Sequence, residues 1–228
     1  MLFIRDAPRR LMDGMMGFAA GIMVAASCWS LLTPAIDLGG PFRAAAGLLA
    51  GGAFLFAADQ LLPHLHPEFP DEAEPEGRPR KAWRRATLLM FAITLHNFPE
   101  GLAIGVAFAA ERPEAAVALA IGIGLQNIPE GLAIALPLRR EGMGRLKAFW
   151  YGQLSAVVEP VAGVLGAALA LAVRATLPYA MGFAAGAMLY VVVEELIPET
   201  ERSGNIDVAT LGFIGGFALM MVLDTALA

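Results

Sequence analysis

The sequence predicts an all-α, polytopic bundle of membrane-spanning helices. Three observations carry this: an excess of apolar residues, their grouping into long stretches, and a lopsided placement of Lys and Arg. Of 228 residues, 57% are apolar and 16% charged, with mean hydropathy +0.63. A soluble domain has about 45–50% and about 25%. Crossing a hydrocarbon layer of ~30 Å takes about 20 helical residues, and in lipid only helices or closed barrels satisfy every backbone group. Stretches 14–36, 41–62, 86–110, 113–138, 147–172, 177–198 and 207–226 meet that length, which predicts seven spans in one transmembrane domain, residues 1–228. A single Cys, Cys28, excludes a disulfide scaffold or thiolate zinc cluster. The net charge of −5, with basic residues in short clusters beside apolar runs, argues against a nucleic-acid partner.

The first span follows Arg5, Arg9 and Arg10. Its 23 residues are long for the apolar core of a signal peptide, and Ala25 stands where a lipoprotein cleavage site usually has Leu before Cys28, so the span is read as retained. The second span closes on Asp59 and QLLPHLHP, which opens the one long connection, 63–85. Five acidic residues followed by five basic ones make that segment a flexible, solvated cytoplasmic loop. The third and fourth spans carry the motifs described below, and the fifth contains QLSAVVEPVAG. The sixth ends in EELIPE, and the seventh is Gly-rich with Asp224 near its end. Glycines at i, i+4 (Gly17/Gly21, Gly47/Gly51, Gly182/Gly186) predict close helix packing.

Orientation follows from Lys and Arg alone. With the N-terminus inside, the inner segments hold Arg5, Arg9, Arg10, five residues of the long loop, Arg139, Arg140, Arg145, Lys147 and Arg202. The outer ones hold Arg43, Arg112 and Arg174, a split of 13 to 3 that places the C-terminus outside. Arg outnumbers Lys 14 to 2, which with the Ala content suggests a GC-rich bacterial genome and hence a bacterial inner membrane.

An ionisable residue in hydrocarbon costs roughly 2.5–3.5 kcal/mol, so each needs a reason. Glu100, Glu130 and Glu159 sit mid-span, His96 lies a helical turn before Glu100, and Asn97, Gln126 and Asn127 add amide oxygens. Two of these glutamates lie in an internal repeat. Residues 95–104 read LHNFPEGLAI and residues 125–134 read LQNIPEGLAI, identical at eight of ten positions with an offset of 30. Consecutive spans run antiparallel, so the copies enter from opposite sides and meet near the midplane, the inverted-repeat logic of secondary transporters. His96/Glu100 and Gln126/Glu130 are each i, i+4 on one helical face. Pro99 and Pro129 cannot donate to the carbonyls of Leu95 and Leu125, so each proline kinks its helix and frees an oxygen beside a carboxylate. Gly101 and Gly131 then let another backbone approach. A mixed nitrogen and oxygen set without thiolate suits Zn²⁺, Fe²⁺, Mn²⁺ or Cd²⁺. The three glutamates sum to −3, and one or two divalent ions bring the cluster to −1 or +1.

HNFPEG and QNIPEG on successive spans, with GFAAGIMVAAS, QLLPHLHP, QLSAVVEPVAG and EELIPE, resemble the ZIP family of metal transporters (Zrt- and Irt-like proteins), in particular its bacterial GufA-like branch. The resemblance covers essentially the whole sequence. It implies an eight-helix carrier, often a homodimer, that moves divalent metal toward the cytoplasm by alternating access. By position, one metal would sit on His96, Glu100, Gln126 and Glu130 with Met23 nearby, and a second on Asn97, Glu100, Asn127, Glu130 and Glu159. Many relatives have His-Glu at Gln126-Asn127, which weakens the second site here, and often His-Glu at Glu194-Glu195. Seven spans rather than eight, beginning where the family's second helix begins, are read as a missed upstream start. Asp59, His64 and His66 form a secondary set for metal or protons near the inner exit, and Glu194 and Glu195 a further, external acceptor of metal or protons. Asp13, Asp37 and Asp224 lie at span ends, where a charge reaches water.

Two rival functions are weaker. An intramembrane metalloenzyme needs His-Glu-x-x-His or repeated Glu-x-x-His, and only one of three histidines lies within a span. A proton-coupled carrier of organic substrates predicts a broad aromatic lining, whereas aromatic residues are 8%. The sequence thus reads as a transporter, not an enzyme, with metal as cargo and no catalytic cofactor.

Overall fold

A computed structural model describes residues 8–61, 79–110, 113–140, 142–201 and 204–227, and they are helical almost throughout, with no strand among them. The helices are α1 (Arg9–Gly39), α2 (Pro41–Leu61), α3 (Pro79–Ala109), α4 (Pro113–Arg140), α5 (Arg145–Ala172), α6 (Arg174–Glu201) and α7 (Ile206–Leu227). Proline opens α2, α3 and α4, where its missing N–H is free of cost. Gly40, at φ 79°, turns the chain sharply between α1 and α2. All but α3 are long and apolar enough to cross a bilayer, six helices among the described residues. The 31-residue α3 carries His96, Asn97 and Glu100. Residues 79–85, expected as the end of the long loop, form its first turns, because Arg, Lys and Ala after Pro79 are good helix formers. The rest of that loop lies outside the described residues.

Three pairs of parallel helices build the bundle, each joined through glycine. A Cβ on Gly17 or Gly21 of α1 would strike the backbone of Ala209 or Phe213 on α7, and one on Gly212 or Gly216 would strike that of Gly14 or Phe18. Gly47 and Gly51 of α2 lie against Tyr179 and Phe183 of α6 in the same way, and Gly182 and Gly186 against Ala44 and Leu48. Gly101 and Gly105 of α3 meet Glu159 and Gly163 of α5. Residue numbers rise together in every pair, so first pairs with seventh, second with sixth and third with fifth. The close packing expected of the i, i+4 glycines is therefore present. Where no hydrophobic force separates protein from lipid, such backbone approach is what holds helices together.

The fourth helix has no such twin. Gly122 of α4 lies against Met220 and Ile22, while Leu132 and Leu136 pack with Met12 and Met15, so α4 runs antiparallel to α1 through the middle of the bundle. In α1, α4 and α6, 61%, 56% and 56% of the crossing window is buried, against 22%, 22% and 17% in α2, α5 and α7. The outer three carry Phe42, Leu49, Val164 and Leu211 fully in the open, as a lipid-facing surface does. The bundle is a multi-pass membrane protein.

Two helices contain a widened turn that periodicity alone does not predict. In α1 the segment Ser27–Leu32 is π-helical, and in α6 so is Val192–Leu196. The amide of Thr33 reaches the carbonyl of Cys28, and that of Ile197 reaches the carbonyl of Val192, each five residues back. A proline follows two residues past each segment, Pro34 and Pro198. Its ring lacks a donor for the carbonyl four residues back and crowds it, and single π-turns frequently mark functional positions.

The glycine contacts are testable on adjacent residues. Gly216→Val drives a side chain into the Phe18 carbonyl, whereas Cβ on Gly215 meets nothing within 4 Å. Thermal unfolding in detergent should show Gly216→Val destabilised by about 1–3 kcal/mol and Gly215→Val within about 0.5 kcal/mol of the parent.

Candidate metal site

Each repeat copy lies on one of the long inner helices, and each helix runs unbroken through its proline, Pro99 in α3 and Pro129 in α4. Pro99 and Pro129 leave the carbonyls of Leu95 and Leu125 without an amide from that position. The glycine after each glutamate then admits a neighbour. Gly101 lets the backbone of Glu159 on α5 come up beside Glu100, and on the second copy it is Gly152 of α5 whose missing Cβ admits the backbone of Gly131. Residue types that weaken a helix thus sit where a third helix must dock.

The repeats bring their polar groups together. Glu100 and Gln126 are wholly buried, Asn97 and Glu130 nearly so. Gln126 Nε2 donates to Glu100 Oε1 across the α3–α4 contact. Asn127 Nδ2 donates to both carboxylate oxygens of Glu159, at 2.8 and 3.0 Å. Glu100 lies within electrostatic reach of Glu130 and Glu159, and Glu130 within reach of Glu159 and Glu195. His96 Nε2 lies 2.5 Å from Glu195 Oε1, so the π-turn of α6 presents that glutamate to α3.

The donors are spent and the acceptors are not. Asn97 Oδ1, Glu100 Oε2, Gln126 Oε1, Asn127 Oδ1 and Glu130 Oε2 are buried with no hydrogen-bond partner among the described residues. A buried acceptor without a partner costs about 1–3 kcal/mol, and five belonging to one repeat-built cluster call for a cation. No three His, Cys, Asp or Glu side chains among the described residues converge into a metal-ligand set by themselves.

The remaining expected residues fall into place differently. Met23 is fully buried in the apolar core of α1. Glu194 is exposed and Asp59 half-buried, and both lie near Tyr190 together with Glu195. His64 and His66 lie outside the described residues. Asp37 is exposed as expected, but Asp13 and Asp224 are only 4% and 5% exposed rather than reaching water. Asp13 accepts from Asn205 Nδ2 at 2.8 Å and lies 3.9 Å from Arg9, which also reaches Glu199 at 3.2 Å. Asp224 accepts from Ser30 Oγ at 2.6 Å. Sequence reasoning missed both partners, since Ser30 and Asn205 are common residues whose positions only the helix pairing reveals.

The two repeated Pro-Glu-Gly motifs of this multi-pass helical membrane protein thus build a buried, acceptor-rich cluster between α3 and α4. Residues 72–224 match the model of the ZIP zinc transporter family. The sequence is 42% identical to zinc transporter ZIP11 of Homo sapiens, over 96% of this chain and 89% of that protein. It is 41% identical to zinc transporter GufA of Myxococcus xanthus, over 100% and 91%, and 40% identical to zinc transporter ZIPB of Bordetella bronchiseptica, over 99% and 75%. The chain belongs to the ZIP family, and its likeness to GufA and ZIPB supports the bacterial GufA-like branch.

The amide–carboxylate contact generates a stability prediction. Gln126→Leu keeps the volume but leaves Glu100 without its donor, so metal-free protein should lose about 1–3 kcal/mol. The measurement is the thermal midpoint in chelator, against the parent protein.

Proposed function

We propose that the protein carries divalent transition metal, Zn²⁺ foremost and Fe²⁺, Cd²⁺ or Mn²⁺ by the same ligands, across a bacterial inner membrane into the cytoplasm. The observation that carries this is the set of five unpartnered, buried oxygens on Asn97, Glu100, Gln126, Asn127 and Glu130. Oxygen ligands with two carboxylates suit a borderline or hard divalent ion, and the relatives named above are zinc transporters. Glu100 and Glu130 supply the charge, Gln126 and Asn97 complete the shell, and Met23 lines its apolar surroundings. Metal is the cargo, and no chemical step on a substrate is called for.

The Lys and Arg asymmetry orients the chain, with the start of α1 at the cytoplasmic side. His96 lies one turn from Glu100 toward that side and is turned to Glu195. It takes the ion from the carboxylates and passes it to Glu195, Glu194 and Asp59. Movement of the α3–α5 unit against the paired helices α1/α7 and α2/α6 exposes the site alternately to each side. A homodimer would be built on the lipid-facing helices.

Reconstitution tests this directly. Proteoliposomes holding the parent chain should take up Zn²⁺, and Glu100→Ala or Glu130→Ala should lower uptake at least about tenfold, a loss of about 1.4 kcal/mol or more in ion stabilisation. Carboxylate and imidazole must lose protons to bind metal, so protons compete and uptake should fall as the pH drops from 8 to 5. Folded parent protein that takes up neither Zn²⁺ nor Cd²⁺ overturns this function.

A further inference from the structure

We infer that the site holds one divalent ion at a time, and that Asn127 is the residue that sets this number. The inference rests on the metal-carrier reading and concerns how the carboxylates are shared out. Glu159 differs from Glu100 and Glu130 in having both oxygens engaged, by the Asn127 amide nitrogen at 2.8 and 3.0 Å. Glu100 and Glu130 each keep one buried oxygen without a partner. The free acceptors therefore lie on Glu100, Glu130 and three amides, and their two negative charges match a single divalent ion.

A second ion would need Glu159. Recruiting it means breaking both contacts with Asn127 and turning that amide so that its oxygen faces the carboxylate. Two divalent cations against Glu100, Glu130 and Glu159 would also leave a net charge of +1 in a buried site, where charge repulsion is poorly screened. With aspartate at 127 the donor disappears, Glu159 is released, and four carboxylates balance two divalent ions. Asn127 is thus a positioning residue for Glu159 as well as a neutral member of the cluster. The backbone contact of Gly101 with Glu159 sets Glu159 beside Glu100.

The experiment counts ions on the purified 228-residue chain in detergent, equilibrated with Zn²⁺ and separately with Cd²⁺, by elemental analysis of the protein peak and by calorimetric titration. The expected result is one ion per chain for the parent protein and two for Asn127→Asp. Two ions on the parent, or one on a folded Asn127→Asp variant, overturns the inference while leaving the carrier function standing. No ion on the parent overturns both. Should Asn127→Asp fail to fold, the count on the parent chain decides alone.

Discussion

A carboxylate carried out of water must find compensation, and the burial of Glu100 sets the terms for the rest of the bundle. The idealised cost of such a transfer is large, and even after relaxation it amounts to several kcal/mol per ion. Glu100 is wholly buried between helices that supply one neutral donor, the Gln126 amide. Glu130 adds a second carboxylate within reach of the same place, and no Lys or Arg is among the buried polar residues described. A fold built only for stability would bring an arginine or replace the glutamates with apolar residues, which is often neutral or favourable. The retained imbalance of acceptors over donors is what the proposed role of the cluster as a cation site accounts for.

The same four residues that hold the charge also build the space for it. In each Asn-x-Pro-Glu-Gly unit the proline withdraws one backbone donor, the glutamate supplies charge, and the glycine lets α5 press on the helix within one residue of that charge. Around this centre, parallel pairing through glycine makes the remaining helices into two rigid units, α1 with α7 and α2 with α6. Small residues at these contacts let backbones approach without long side chains between them. Rigidity in the pairs and irregularity at the centre are complementary. Polar backbone at membrane depth is tolerated only where protein or a water-filled cavity covers it.

The helical class, the repeat and the glycine contacts were legible in the sequence because each rests on local spacing. A run of about 20 apolar residues, a duplicated decapeptide and glycines at i, i+4 need no knowledge of neighbours. What stayed hidden depends on helices far apart in the chain. Asp224 was read as a surface charge from its place near a helix end, but α7 pairs in parallel with α1 and so delivers Ser30 to it. Asp13 was misplaced for the same reason, with Asn205 and Arg9 closing over it. The π-turns left only the prolines two residues later as a trace, Pro34 and Pro198. Periodicity cannot show which way Glu195 turns, and the turn in α6 is what aims it at His96.

The amides explain how such a site can release what it binds. A carrier must bind well enough to load and loosely enough to let go. Every neutral donor that satisfies a carboxylate in the empty state is a competitor the ion has to displace, and it stands ready to return. Gln126 plays this part toward Glu100 and Asn127 toward Glu159. Replacing them with imidazole or carboxylate would deepen the well for the ion and remove the return path. His96 faces Glu195 in the same manner, one turn nearer the side on which α1 starts, so Glu100, Glu159 and His96 each have a partner to fall back on. A chain of exchangeable partners keeps the free-energy steps small, and small steps are what permit an ion to move through a place where a bare charge could not stay.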